Sequence, residues 1–369
     1  MSVLVVAGAR PNFMKVAPII RALDAAGVAR SLVHTGQHYD AAMSDAFFTD
    51  LGLPKPDAHL GVGSGTHAQQ TARVMEGFEP VLLSLRPRWV LVVGDVNSTL
   101  ACALVAAKLR QQLGCGIVHV EAGLRSGDWT MPEEVNRVLT DRLADVLHTP
   151  SRDAHPNLER EGIEADRVTF VGNVMIDTLV ASLPRARATG TLARLGVTSG
   201  GYIVTTLHRP ANVDQRDVLA GILEGLDAVA RDRPVVFPIH PRTRARIGEF
   251  GLDRFLARLT LAEPLGYLDM LAVTDGAAAC LTDSGGLQEE TTALGVPCVT
   301  LRQETERPVT VTHGTNVLAP WPPSPAGVRE AAAGALARGR VGVGERAPEG
   351  WDGKAAERVV ADLVRRQGA

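Results

Sequence analysis

The amino-acid sequence predicts an α/β protein built from two Rossmann-like, doubly wound domains. Short runs rich in valine and isoleucine alternate with longer stretches of helical periodicity, a pattern typical of parallel sheets covered by helices on both faces. With 369 residues, the chain exceeds the size that one hydrophobic core usually fills, so two domains are expected. Proline and glycine residues gather in the stretch 172–201, which indicates a junction between the domains.

Each domain is expected to contribute four clear strands to its sheet. The predicted strands span residues 3–7, 31–35, 89–93, 116–120, 202–207, 234–239, 277–282 and 296–301. Apolar residues at helical spacing follow the first strand, from Phe13 to Leu23, and Val359, Val360 and Leu363 mark an amphipathic final helix. We therefore expect a first domain over residues 1–171, a second over 172–352, and a C-terminal helix over 353–368.

The bulk composition argues against several classes of protein. The formal net charge of −3 gives no reason to expect nucleic acid or an anionic membrane as a partner. The first apolar stretch has no basic region before it and is too short for a signal peptide. No apolar run approaches the roughly 18 residues of a membrane span, so a cytoplasmic protein is expected. The four scattered cysteines are expected to be small buried side chains, with a metal site or reactive thiol as the alternative.

The familiar cofactor and metal motifs do not occur in the sequence. No G-x-G-x-x-G follows the first strand, which disfavours nicotinamide cofactors, and there is neither a G-x-x-x-x-G-K-[ST] loop nor a G-x-S-x-G elbow. The ten histidines show no metal-ligand spacing such as H-E-x-x-H. We expect neither a cofactor nor a metal ion.

Charged and polar residues follow the carboxyl ends of several predicted strands. They are Arg10, Asp95, Glu121, His208, His240 and Asp283. In open α/β sheets, ligands bind in the crevice beyond these strand ends. Because both halves of the chain contribute such residues, we expect one active site in a cleft between the two domains.

A strand–turn–helix segment at residues 281–297 predicts a phosphate site. The strand ends near Asp283, and the following residues Ser284, Gly285 and Gly286 would present backbone N–H groups at the positive end of a helix dipole. Glu290, further along the helix, would reach hydroxyl groups of the bound molecule. An ordinary strand-to-helix turn with a serine cap is the alternative interpretation.

Two cations near the start of the first helix are candidates for a diphosphate. Arg10 could direct its guanidinium at the phosphate oxygens. Lys15 is equally consistent with a surface charge.

Three acids are candidates for proton transfer, namely Asp95, Glu121 and Glu133. Asp95 could instead be a helix cap, and Glu133 could merely complement a helix dipole. Glu121 is harder to explain structurally, because a carboxylate after an apolar strand needs a partner or a role. The histidines His208 and His240 are interpreted as phosphate donors or acid–base groups, with satisfied strand-end histidines as the alternative.

Taken together, segments along the whole chain resemble those of the non-hydrolysing UDP-N-acetylglucosamine 2-epimerases. In the first half they are GARPNFMKVAPI from Gly8, TGQHYD from Thr35, VVGDVNSTLA from Val92, HVEAGLRSGD from His119, MPEEVNR from Met131 and GNVMIDTL from Gly172. In the second half they are TLHRPAN from Thr206, FPIHPR from Phe237, LTDSGGLQEETTALGVP from Leu281, ETERP from Glu304 and HGTNVL from His313.

The resemblance implies an architecture and a set of residue roles. It implies a glycosyltransferase-B-like fold whose final helix packs back on the first domain, and a homodimer. The implied catalytic residues are Asp95, Glu121, Glu133 and His208. The implied substrate-binding residues are Arg10, Lys15, Ser284, Gly285, Gly286, Glu290 and Arg307.

The implied reaction interconverts UDP-N-acetylglucosamine and UDP-N-acetylmannosamine by expelling UDP to give 2-acetamidoglucal and adding it back. A hydrolysing relative that releases N-acetylmannosamine and UDP, a glycosyltransferase of the same fold, and a non-catalytic sugar-nucleotide sensor are the alternatives. Some bacterial members bind a second substrate molecule, and the residues expected to form that regulatory site are Gln37, His38, Arg73, Arg209 and His240. Pro210 and Ala211 replace polar residues of many members there.

Overall fold

The protein is described by a computed structural model that covers residues 1–37, 48 and 50–367, apart from the side chains of residues 10 and 11. The chain divides into two compact units. The first unit comprises Met1–Ala181 and Glu349–Ala369, and the second comprises Ser182–Pro348. The functional division predicted from the sequence, with domains at 1–171 and 172–352, stays a prediction.

The first unit contains a seven-stranded parallel sheet in the order β3-β2-β1-β4-β5-β6-β7. The strands are β1 (Ser2–Ala7), β2 (Ala29–His34), β3 (Ala58–His59), β4 (Trp89–Val93), β5 (Gly116–Val120), β6 (Val146–Thr149) and β7 (Val168–Phe170). The strand order reverses between β1 and β4, which pair with Val5 opposite Leu91. Such a reversal is the topological switch point at which doubly wound sheets bind ligands.

Helices alternate with the strands of the first unit. They are α1 (Arg10–Ala25), α2 (His67–Leu85), α3 (Asn97–Leu113), α4 (Pro132–Leu143), α5 (His155–Arg160) and α6 (Val174–Arg187), with 3-10 turns at Arg152–Ala154 and Ala165–Arg167. Thr66 caps α2 by accepting a hydrogen bond from the Gln69 backbone N–H. Helix α3 ends at Gly114, whose φ of 65° is the left-handed conformation that suits a helix C-terminus.

The final helix, Ala355–Gln367, packs against α1 of the first unit. Val359, Val360 and Leu363 form its buried face. Its N-terminus is capped from another helix, because the Asp177 carboxylate accepts hydrogen bonds from the backbone N–H groups of Ala355 and Ala356 at 3.0 and 2.7 Å. The C-terminal segment is therefore integral to the first unit.

The second unit repeats the same strand order on a smaller scale. Its six-stranded parallel sheet runs β10-β9-β8-β11-β12-β13, with β8 (Ile203–Thr206), β9 (Val235–Pro238), β10 (Thr260–Ala262), β11 (Ala279–Thr282), β12 (Cys298–Thr300) and β13 (Asn316–Leu318). The order reverses between β8 and β11, which pair with Thr206 opposite Thr282. This is the second topological switch point.

Eight helices surround this sheet. They are α7 (Thr191–Arg194), α8 (Pro210–Val213), α9 (Arg216–Val229), α10 (Pro241–Glu249), α11 (Tyr267–Gly276), α12 (Gly285–Leu294), α13 (Pro308–Thr312) and α14 (Pro325–Arg338), with a 3-10 turn at Asp253–Leu256. Helices α9 and α14 approach closely at Gly225, where a Cβ atom would lie 2.6 Å from that of Val328. Leu219, Ile222, Leu223 and Leu226 turn the apolar face of α9 into the core.

All eight predicted strands are present, with ends that differ by at most two residues. The predictions omitted β3, β6, β7, β10 and β13, which are only two to four residues long. The four cysteines are free and buried, as expected. Among the residues that the structure describes, no helix is long and apolar enough to cross a membrane.

Candidate functional site

The two switch points carry the polar residues that were predicted to follow strand ends. In the first unit α1 begins at Arg10 just beyond β1, and Asp95 follows β4. In the second unit His208 follows β8 and Asp283 follows β11. The placement of these residues at the edges of both sheets agrees with the sequence prediction, whereas a cleft shared by the two domains stays a prediction.

Asp95 is held by helix α4. Its carboxylate accepts a hydrogen bond from Arg137 Nη2 at 2.8 Å, with the arginine 3% and the aspartate 24% exposed. The neighbouring Asn136 donates from Nδ2 to the Asp95 carbonyl oxygen at 2.9 Å. This ion pair with a nearly buried guanidinium holds the carboxylate in one orientation. Asp95 is therefore an oriented carboxylate at the first switch point.

The two consecutive glutamates at the start of α4 have different surroundings. Glu134 is buried and accepts from the backbone N–H groups of Ser126 and Gly127 at 3.1 and 2.9 Å and from Arg137 Nη1 at 3.0 Å. It thereby fixes the preceding loop and the arginine that holds Asp95. Glu133 is partly exposed, and within the described residues its carboxylate makes no hydrogen bond or ion pair. Of the two, Glu133 is the acid that a ligand can engage.

Glu121 forms a buried ion pair with Lys15. The distance from Lys15 Nζ to Glu121 Oε1 is 2.7 Å, and the two side chains are 5% and 3% exposed. Glu121 has a φ of 72°, which is uncommon for a residue with a side chain and often marks a functional position. Its backbone N–H and that of Ala122 both donate to the His148 carbonyl oxygen, at 3.0 and 3.1 Å, and this contact anchors the strained turn.

A buried histidine, His119, fixes the backbone beside Asp95. His119 lies 2.6 Å from Asp141 through Nδ1 and 2.8 Å from the Gly94 carbonyl oxygen through Nε2. Burial raises the pKa of the Asp141 carboxyl, but His119 and Arg125 outweigh that effect and hold the pKa below its ordinary value. These contacts fix the backbone between β4 and Asp95.

At the second switch point a buried carboxylate orients His208. The Thr206–Thr282 register places His208 beside Asp283, and Nδ1 of the histidine lies 2.9 Å from Asp283 Oδ1. Asp283 also accepts from the backbone N–H groups of His208 and Arg209, each at 2.9 Å, and from Asn212 Nδ2 at 3.0 Å. Burial raises the pKa of Asp283, but the contacts with His208 and the backbone N–H groups lower it below its ordinary value.

Helix α12 begins directly after this carboxylate. Ser284 is its N-cap and accepts from the Leu287 backbone N–H, so Gly285 and Gly286 form the first turn. Their N–H groups lack helical partners by geometry and suit an anion. Glu290, one turn further, is buried, and this burial with the nearby Glu289 raises its pKa to about 8. A carboxyl of this kind donates as well as accepts hydrogen bonds.

Arginines surround the start of α12. Glu306 is nearly buried and lies 2.8 Å from Arg302 and 3.8 Å from each of Arg209 and Arg307. Arg307 also contacts Glu289 through Nε at 2.8 Å. A Cβ atom at Gly285 would lie 2.8 Å from Glu306 Oε1. Arg307, predicted to bind substrate, is thus engaged with two buried glutamates beside the anion site.

The residues predicted for a regulatory site lie in both units. Gln37 is buried, and its Oε1 accepts from the Ser98 backbone N–H at 3.0 Å and from the Ser98 hydroxyl at 2.8 Å. Arg73 is exposed and donates to the Val62 and Ser64 carbonyl oxygens. His240 is exposed, with its ring centre 6.3 Å from that of His208. His38 and the side chain of Arg10 lie outside the described residues.

Sequence reasoning missed the residues that contact the predicted site residues or the backbone beside them. They are Arg137, Asn136, Glu134, His119 and Asp141 in the first unit, and Asn212, Glu289 and Glu306 in the second. The spacing of Glu134 and Arg137, three apart on one helix, was a usable signal for an intrahelical pair. Among the described residues, no group of three or more histidine, cysteine or acidic side chains could hold a metal ion.

Known proteins are similar to this chain over most of its length. The family model described as UDP-N-acetylglucosamine 2-epimerase matches residues 21–364. The UDP-N-acetylglucosamine 2-epimerase of Methanocaldococcus jannaschii is 43% identical over 326 residues, covering 86% of this chain and 88% of that protein. The UDP-2,3-diacetamido-2,3-dideoxy-D-glucuronate 2-epimerase of Pseudomonas aeruginosa is 44% identical over 322 residues, covering 86% of this chain and 88% of that protein.

A solved structure matches the fold of the whole chain. It is the crystal structure of Methanocaldococcus jannaschii UDP-GlcNAc 2-epimerase in complex with UDP-GlcNAc and UDP, with a TM-score of 0.87 and 40% sequence identity. The match covers 99% of this chain and 100% of that chain. The predicted α/β fold of two doubly wound, Rossmann-like units of the glycosyltransferase-B-like kind is confirmed.

Proposed function

The chain belongs to the UDP-N-acetylglucosamine 2-epimerase family, and from this membership we propose that it is an isomerase that inverts carbon 2 of UDP-N-acetylglucosamine to give UDP-N-acetylmannosamine. The observation that carries the proposal is the contrast between the two sheet edges. The first has the acids Asp95, Glu121 and Glu133, and the second has the helix N-terminus at Ser284. Removal of a proton requires acid–base groups such as these acids. Departure of a diphosphate requires groups that stabilise negative charge, such as the N–H groups of a helix N-terminus.

The proposed route breaks and re-forms the bond between carbon 1 and the diphosphate. The bonding electrons leave with the β-phosphate oxygen, a carboxylate takes the proton of carbon 2, and 2-acetamidoglucal results. UDP then returns to carbon 1 while carbon 2 receives a proton on its opposite face. These two reaction steps need no oxidant, because no carbon changes its oxidation state overall.

The residues of each unit serve one half of this chemistry. Arg137 pairs with Asp95 and Lys15 pairs with Glu121, which fixes both carboxylates, while Glu133 on α4 is the acid without a cationic partner in the described residues. The N–H groups of Gly285 and Gly286 stabilise charge on the departing diphosphate. His208, oriented by Asp283 at 2.9 Å, is a further donor to that charge. The carboxyl of Glu290 accepts from or donates to nucleoside hydroxyls.

A second candidate substrate follows from the comparisons. The relative from Pseudomonas aeruginosa, at 44% identity, is named for a sugar that carries a second acetamido group and a carboxylate. The inversion at carbon 2 is the same chemical step on that substrate. The similarity to this relative supports UDP-2,3-diacetamido-2,3-dideoxy-D-glucuronate as the alternative.

The test is incubation of the purified protein with UDP-N-acetylglucosamine alone, followed by proton and phosphorus NMR. We expect signals of UDP-N-acetylmannosamine and no accumulation of free UDP. Free UDP with N-acetylmannosamine would instead identify a hydrolysing enzyme, and an unchanged substrate would contradict the proposal. A parallel incubation with UDP-2,3-diacetamido-2,3-dideoxy-D-glucuronate separates the two substrates, and the Glu133→Gln variant controls for contaminating activity.

The assembly and location of the protein follow only from the resemblance. We propose a homodimer in the cytoplasm, with sugar nucleotides as its small-molecule partners. Sedimentation analysis of the purified protein tests the first of these, and a monomer at micromolar concentration would contradict it.

A further inference from the structure

Lys15 contacts an acid rather than solvent or an open phosphate site. Its side chain is 5% exposed, and its ammonium group lies 2.7 Å from Glu121 Oε1. Within the described part of the chain, Glu121 is the only hydrogen-bond partner of this ammonium. Because a buried charge requires a partner, the contact accounts for both residues at once.

The surrounding backbone is shaped for this ammonium. Gly94, between β4 and Asp95, has a φ of 63°, and a Cβ atom there would lie 2.7 Å from Lys15 Nζ. Its carbonyl oxygen is fixed by His119 Nε2 at 2.8 Å, and its N–H donates to the Val120 carbonyl oxygen at 3.0 Å. Glycine at this position therefore keeps open the space through which the lysine reaches Glu121.

We propose that Lys15 is the positioning residue of Glu121 in the epimerase reaction and is not a ligand of the diphosphate. This inference rests on the proposed function. The ammonium pairs with the Glu121 carboxylate and fixes one of its oxygens, in a place where both side chains are nearly buried. The φ of 72° at Glu121 also sets the direction of this carboxylate, in addition to the ion pair with Lys15.

A carboxylate held in one place suits the proposed elimination. As the bond between carbon 1 and oxygen breaks, positive charge develops on carbon 1 and the proton on the neighbouring carbon becomes strongly acidic. A base of modest strength then suffices, provided that it is ionised and correctly placed. A buried ammonium at hydrogen-bond distance secures the placement.

Turnover and UDP affinity together distinguish the two possible roles of Lys15. Loss of a residue that positions Glu121 should lower turnover, whereas loss of a diphosphate ligand should weaken UDP binding. For Lys15→Met we expect kcat to fall on the order of 100-fold, the usual scale for loss of a positioned base. The dissociation constant of UDP, measured by calorimetry, should change by less than about threefold. Loss of a charge-assisted contact to the diphosphate would instead raise that constant about tenfold or more. An increase of that size with kcat retained would overturn the inference.

The matched control is Lys108→Met, which removes an exposed lysine from α3 in the same unit. It should leave both quantities unchanged. Gly94→Ala provides a second, independent disturbance, since it retains every ionisable group but obstructs the lysine. We expect it to reduce kcat at least tenfold while UDP affinity is kept, and normal turnover of a folded Gly94→Ala protein would contradict the proposed geometry.

A stability cycle keeps the inference testable if turnover is absent or Lys15→Met folds poorly. The melting temperatures of Lys15→Met, Glu121→Gln and the double variant are compared with that of the unmodified protein. Because each single change removes one member of the buried ion pair and the double variant removes both, the double variant should melt above Lys15→Met. Strictly additive losses would show that the two side chains are not coupled. This measurement does not depend on epimerase activity, so it separates failure of the inference from failure of the proposed function.

Discussion

The edges of the two sheets have the same topology and opposite chemistry. In each unit the strand order reverses between the first and fourth strands of its sheet, β1 and β4 or β8 and β11. At the first edge, two acids are each paired with a cation, Asp95 with Arg137 and Glu121 with Lys15. At the second edge, the carboxylate of Asp283 is completely buried and serves to hold N–H groups and His208.

The difference shows that topology sets where a site lies and residue type sets what it does. Carboxylates that are fixed by neighbouring cations suit proton transfer. N–H groups at the start of α12, with arginines around them, suit a phosphate. The proposed function therefore assigns separate tasks to the two edges, and we expect that each can be disturbed without the other.

The largest expected effect is on turnover, from changes at the first edge. Asp95→Asn, Glu121→Gln and Glu133→Gln should each lower kcat by on the order of 100-fold or more, because each removes a group that carries or aims a proton. UDP affinity, measured by calorimetry, should change little. Glu79→Gln, at an exposed position on α2, is the matched control. Near-normal turnover of all three folded variants would refute the division of tasks.

The next effect is on UDP affinity, from a change at the second edge. Gly286→Val should weaken UDP binding about tenfold or more, since a side chain on the first turn of α12 keeps the diphosphate from the backbone N–H groups. Gly285 is less informative, because a Cβ there would already meet Glu306 at 2.8 Å. Gly334→Val on the partly exposed helix α14 controls for the helical cost of valine. If calorimetry shows that the Gly286→Val variant binds UDP as tightly as the unmodified protein, the assignment of an anion site to the start of α12 is wrong.

A smaller effect concerns the free energy of unfolding at low pH. A buried aspartate near each edge should make this free energy fall as the pH falls. The folded pKa values of Asp141 and Asp283 are both below their ordinary value, so the unfolded chain binds more protons. Their contribution to the free energy of unfolding is present above about pH 4, the unfolded pKa, and is lost as pH falls through the folded values.

Asp283→Asn should flatten this dependence in denaturant titrations between about pH 3 and pH 5, the range around the unfolded pKa. It should also lower stability by about 1–3 kcal/mol at pH 7, the scale for buried groups left without a partner. An unaltered slope against pH would show that Asp283 contributes none of it.

The smallest effect is kinetic and tests whether both units serve a second ligand. If Gln37, His38 and Arg73 of the first unit and Arg209 and His240 of the second bind another substrate molecule, UDP-N-acetylmannosamine alone should react only after a lag. A trace of UDP-N-acetylglucosamine should abolish that lag. Full initial rate from pure UDP-N-acetylmannosamine would show that the chain lacks this site.

Sequence patterns predicted the central strands and the positions of the polar residues well. The buried strands are continuous apolar runs, and a catalytic or binding residue at a strand end is visible as the first polar letter after such a run. Four of the five missed strands are the outermost strands of their sheets, and most of their residues are not fully buried; they are β3, β7, β10 and β13. Edge strands also lack the apolar faces that identify a central strand.

The partners of the site residues were not predictable in the same way. Lys15 and Glu121 are separated by 106 positions, and nothing local in either segment specifies their contact. Lys15 was therefore interpreted from its position on the first helix, as a surface charge or a phosphate ligand. Arg137 belongs to the segment MPEEVNR, which the sequence analysis singled out. Its ion pair with Asp95 could not be predicted, because it depends on how α4 packs beside the end of β4.

The most direct test of the central claim follows two isotopes in one NMR experiment. UDP-N-acetylglucosamine labelled with oxygen-18 in the bond between carbon 1 and the β-phosphate is incubated with the protein in heavy water. Elimination and re-addition predict deuterium at carbon 2 of the product and movement of the label into a non-bridging phosphate position. A product inverted at carbon 2 that retains its original proton, or a label that stays in the bridge, would contradict the account.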